Sequence, residues 1–138
     1  MMHRTIYIRG WRVDVFIDDG NEDVFVGEIN ICLDDMGAPD DIVERCNELI
    51  IEGKPNQAFT YSNGKRTCMY IGWTTSGDEF INSIVHELRH LVDHIADYHG
   101  LVDDEETAYM SGDAAFLLAK EICEIGCPRC RKEDKHGM

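Results

Sequence analysis

The residues most able to do chemistry are His86-Glu87-Leu88-Arg89-His90, two imidazoles four positions apart with a carboxylate beside the first. On an α-helix that spacing puts both rings one turn apart on one face, where they can ligate a single zinc ion. The glutamate between them projects alongside, placed to take a proton from a water held by the metal. The surrounding pattern is helical from about Asp78 to His99 and closes at Gly100. With His86 at zero and about 100° per residue, His90 falls near 40°, Asp93 near 340° and Asp97 near 20°. Phe80, Ile84, Leu88, Leu91, Val92 and Ile95 fall roughly between 120° and 280°, so the histidines occupy the polar stripe of an amphipathic helix.

A catalytic zinc takes three protein ligands and keeps one position open. Asp93, His94, Asp97 and His99 follow on the same rod, but side chains leaving one rod in similar directions close a tripod poorly. A neighbouring helix is the better source. One is expected to start in the acidic cluster Asp103 to Glu106 and run to about Ile125.

Taken together, His86-Glu87-Leu88-Arg89-His90 and Glu105-Glu106-Thr107-Ala108 resemble the gluzincin class of zinc metallopeptidases. Within it the chain is similar to compact zincins of phage and prophage genomes, and more distantly to ImmA/IrrE-type peptidases. The resemblance spans residues 77 to about 122. It implies an α+β, zincin-like fold: a small N-terminal sheet against an active-site helix and a second, ligand-bearing C-terminal helix. It further implies Zn2+ held by His86, His90 and Glu105, with Glu106 competing for the third place. Glu87 would be the general base and a peptide or protein the substrate. Tyr109 stands where several gluzincin families have aspartate, so a carboxylate supporting the ligands would come from Asp93 or Asp113. Tyr109 itself, one turn beyond Glu105, is the expected donor to a tetrahedral oxyanion, ahead of Tyr98 and His99. The alternative is a catalytically silent zincin-fold protein with structural zinc, an accessory protein of phage or mobile-element origin. Glu87 favours catalysis, because structural zinc has no use for a base between its histidines.

The elements that must position these residues are legible to different degrees. Residues 5–17 alternate at Val13, Val15 and Ile17 and read as one strand or as two broken at Gly10. Residues 22–35 fit either a helix face or a strand, with strand preferred. Pro39-Asp40-Asp41 opens a helix running to about Ile51, before Gly53. Residues 57–62 and 66–73 form a hairpin across Asn63-Gly64, and the second arm is the expected edge strand that would hold an extended peptide.

Composition narrows the class. With 138 residues and 43% apolar content the chain can bury a core of its own. Thirteen basic against 27 acidic residues, a net charge of −14, argue against nucleic acid as a partner. No apolar run reaches the length of a membrane span and the first residues lack a leader pattern, so a cytoplasmic location is expected. In that setting the six cysteines read as thiols or metal ligands, with Cys32, Cys46 and Cys68 at apolar positions. Cys123, Cys127, Cys130 and His136 have the types of a second, structural zinc set. Residues 1–126 are expected to form one domain, followed by a polar tail, 127–138.

Overall fold

The computed structural model describes residues 1–20, 26–101 and 103–126. The chain is α+β, with a mixed four-stranded sheet of order β1-β2-β4-β3 among the described residues. Strands β1 (Met2–Ile8) and β2 (Trp11–Ile17) form a hairpin whose two turn residues, Arg9 and Gly10, both have positive φ (53° and 78°). That is the turn whose twist matches paired strands, so the break at Gly10 makes two strands. Helices α1 (Val26–Asp35) and α2 (Asp40–Glu52) then return the chain to the hairpin of β3 (Ala58–Asn63) and β4 (Arg66–Ile71). Strand β4 lies parallel to β2, which leaves β1 and β3 at opposite edges.

Residues 26–35 are helical, against the strand expected there. Ile29, Cys32 and Leu33 (spacing i, i+3, i+4) are buried together while Ile31 is 66% exposed. The same residues read at period two would bury Ile31 with Ile29, so the tertiary contact selects the helix.

Alternation along the strands sorts side chains between two faces. Trp11, Val13, Val15 and Ile17 pack with Met69 and Ile71 against α3 (Gly77–His99). Phe16, Cys68 and Tyr70 pack on the other side with Ile29, Leu33, Met36 and Cys46 of the α1–α2 layer. Cys32, Cys46 and Cys68 are therefore core thiols, as their apolar positions imply. Burial drives the Cys46 thiol up to about 12, which keeps it protonated.

Helix α3 begins at Ser76, whose Oγ accepts the Glu79 N–H at 3.1 Å, and ends at Gly100 with φ 67°. The expected second helix is two: α4 (Asp104–Leu117) and α5 (Ala119–Gly126), broken at Leu118. The end of α5 lies on the start of α3. A Cβ at Gly77 would stand 2.2 Å from the Gly126 carbonyl oxygen, so only glycine permits that approach. Among the described residues no helix is long and apolar enough to cross a membrane.

Candidate metal centre

Helix α3 crosses one face of the sheet with its apolar side down, burying Phe80, Ile84, Leu88, Leu91 and Ile95. The imidazoles consequently lie along its flank, beside edge strand β3. The Nε2 atoms of His86 and His90 converge to 3.1 Å, their rings nearly perpendicular at 83°. Two nitrogens bound to one tetrahedral ion at 2.0–2.1 Å stand roughly 3.3–3.4 Å apart, so the observed spacing is close to that of a shared cation. With no ion, one nitrogen must donate a proton to the other; a shared cation would take the place of that proton.

Glu87 completes the cluster. Its side chain is 8% exposed, against 67% for His86, and its Oε2 lies 3.8 Å from His86 Nε2. The other oxygen, Oε1, accepts the Thr60 hydroxyl at 2.6 Å. The ligand atoms of His86, Glu87 and His90 all lie within 4.8 Å of one another, and among the described residues they alone form such a group. They open on a cavity of about 400 Å³ whose walls include Thr60 and Tyr61 of β3, Ile42 and Arg45 of α2, and His94. Burial, and then the neighbouring His90, hold the His94 imidazole below its ordinary range.

The structure does not bring Glu105 or Tyr109 to this place. Helix α4 packs on α3 from the β1 side of the sheet, whereas the histidines face β3 at the other edge. Glu105 is exposed in the first turn of α4, its backbone N–H capped by Asp103 at 2.9 Å. Its competitor Glu106 pairs with Arg9 in the β1–β2 turn. Tyr109 is 60% exposed and does not line the histidine cavity. The two-helix tripod fails because α3 offers α4 one flank and presents its imidazoles on another.

The supporting carboxylates also differ from expectation. Asp93 accepts the Arg89 Nε–H at 3.1 Å, and Asp113 is exposed on α4. In the expected second zinc set, Cys123 lies on the exposed side of α5, while Cys127, Cys130 and His136 lie outside the described residues.

Sequence reasoning missed Thr60 and Ser62, which meet Glu87 and His94 respectively. Two hydroxyl residues at spacing i, i+2 on a strand share a face, which is the signal that marks them. Searches against protein-family models, curated proteins and solved structures give no match, so the chemistry must be argued from the site itself.

Proposed function

We propose that this chain is a zinc-dependent peptide hydrolase in which His86 and His90 hold the ion and Glu87 serves as general base. The observation that carries the reading is the convergence of two imidazole nitrogens to 3.1 Å with a nearly buried carboxylate against them. Neutral imidazoles suit zinc, and the bound ion would supply a water acidified towards neutral pH and a polarised carbonyl. The chain's own contribution is to position the proton acceptor. Thr60 ties down Glu87 Oε1, which leaves Oε2 as the oxygen beside His86 that can hold a proton.

The peptide class rests on β3. This strand pairs only with β4 among the described residues, so its outer backbone edge runs beside the imidazoles. An extended peptide added to that edge would pass along the cavity wall. The edge expected for this role, residues 66–73, is instead interior: β4 lies between β2 and β3. Arg45 in the cavity wall provides a donor for carbonyl or carboxylate oxygens in an otherwise acidic chain. The zincin-like arrangement remains part of this proposal with two of its three protein ligands, His86 and His90, supplied by α3 among the described residues.

Replacing Glu87 by Gln tests the assignment. The variant is expected to retain zinc, by elemental analysis, while losing cleavage of a peptide mixture followed by mass spectrometry. Retained cleavage would remove Glu87 as base, and lost zinc would make it a ligand. A second reading, a zinc-binding protein that engages a partner without cutting it, is favoured by the position of Glu105 outside the cluster. It predicts stoichiometric zinc with no cleavage by the unsubstituted chain.

A further inference from the structure

Beneath the cavity a line of polar side chains crosses the sheet from β2 to α3. Trp11 Nε1 donates to Thr67 Oγ1 at 2.8 Å. Thr67 Oγ1 and Ser62 Oγ are 2.6 Å apart, and Ser62 Oγ and His94 Nδ1 are again 2.6 Å apart. Trp11 and Thr67 are fully buried, and Ser62 is half-buried.

The direction of the hydrogens follows from the one end that cannot reverse. An indole N–H only donates, so Thr67 Oγ1 accepts there. The hydrogen of Thr67 then has Ser62 Oγ as its acceptor among the described residues. Were Ser62 to donate instead, the buried Thr67 hydroxyl would be left with no acceptor, a costly state. Ser62, having accepted from Thr67, has its own hydrogen available for His94 Nδ1, 2.6 Å away. A neutral imidazole that accepts at Nδ1 carries its proton on Nε2.

We propose that Trp11, Thr67 and Ser62 fix His94 as the Nε2–H tautomer, a hydrogen-bond donor to a substrate carbonyl oxygen in the cleft and not a metal ligand. A ligand must offer an unprotonated nitrogen. At His94 one lone pair is committed to Ser62 and the other nitrogen carries the proton. Ligation through Nε2 would put the proton on Nδ1, so that Ser62 accepts from His94 as well as from Thr67 and its own hydrogen loses its partner in the chain. His94 accordingly shares the cavity wall with His86, Glu87 and His90 yet stays outside their close cluster. It supplies the neutral donor that the sequence assigned to Tyr109. The word substrate rests on the hydrolase reading; the tautomer does not.

Long-range 1H–15N correlation spectra of the metal-free full chain test the tautomer. In the unsubstituted protein Nδ1 of His94 is expected to resonate as an unprotonated nitrogen and Nε2 as a protonated one. Ser62→Ala removes the donor to Nδ1 and is expected to mix the two tautomers, with Ser62→Thr restoring the original pattern. A proton on Nδ1 in the unsubstituted protein, or a spectrum unmoved by Ser62→Ala, would overturn the proposal. A titration with zinc alone tests the excluded ligand role. His94→Gln is expected to leave zinc affinity within about twofold, and a loss of tenfold or more, the least that a ligand's supporting partner costs, would overturn it. Neither measurement reads turnover. A chain that binds zinc but cleaves nothing would defeat the hydrolase reading and leave the tautomer assignment intact.

Discussion

Two polar clusters sit on opposite faces of the sheet, and they differ in what their atoms still lack. On the α1 side, Asp14 is 1% exposed and surrounded by donors. Thr5 Oγ1 lies at 2.7 Å, His3 Nε2 at 3.1 Å, Arg12 Nε at 3.2 Å, Arg66 Nη2 at 3.5 Å and the Cys32 thiol at 3.6 Å. Burial pushes the Asp14 carboxyl up, but the bonds from Thr5 and His3 and the Arg12 charge outweigh it and hold the group below its usual range. That carboxylate is closed on itself. On the α3 side, two imidazole nitrogens face each other at 3.1 Å, and beside them is a carboxylate oxygen 3.8 Å from the nearer one. Ligand atoms that lie within 4.8 Å of one another make this a group that could hold a cation. A carboxylate enclosed by donors fixes a fold, whereas ligand atoms converging on one point make a candidate site.

The largest expected effect separates the two directly. His90→Ala should weaken zinc binding by more than about 100-fold, beyond what losing an outer-shell partner costs, measured by competition with a chromophoric chelator. Unchanged affinity would remove the distinction between the clusters. Asp14→Asn should do the reverse, leaving zinc affinity alone while lowering stability by about 2–3 kcal/mol in urea denaturation. The lost term is that of charge-assisted bonds to a buried carboxylate.

The Asp14 contribution has a definite pH signature. Its folded-state pKa is depressed, so the stabilisation is present above the unfolded value of about 3.9 and disappears as pH falls through the lower folded value. Urea curves of the two proteins should therefore converge in acid, and a difference that grows on acidification would contradict the assignment. The smallest expected effect concerns α4. Glu105→Gln should change zinc affinity by less than about twofold, because this carboxylate lies outside the cluster. A tenfold loss would bring α4 into the coordination sphere and restore the two-helix tripod.

The parts of the fold legible in sequence were those set by local chemistry. Pro39 and Gly53 bracket α2, Gly64 marks the β3–β4 turn, and Gly100 closes α3. Each acts through its own backbone or cap and requires no distant partner. Residues 26–35 were ambiguous because only the packing of Ile29, Cys32 and Leu33 on the sheet separates helix from strand. The single helix expected after Asp103 divides at Leu118, which is itself wholly buried in the core shared with Met110 and Ala114.

For the site, the boundary falls between one helix and its neighbours. The sequence by itself determined that His86, Glu87 and His90 share a helix and that the imidazoles align, since 3.6 residues per turn imposes this whatever surrounds them. Only the tertiary structure decided which flank of α3 faces which element. The sheet order β1-β2-β4-β3 places Thr60 and Ser62 beside the histidines and sends Glu105, Glu106 and Tyr109 to the other edge. Strand order depends on pairings between residues dozens of positions apart, such as Asp14 with Cys68, and no local pattern encodes it.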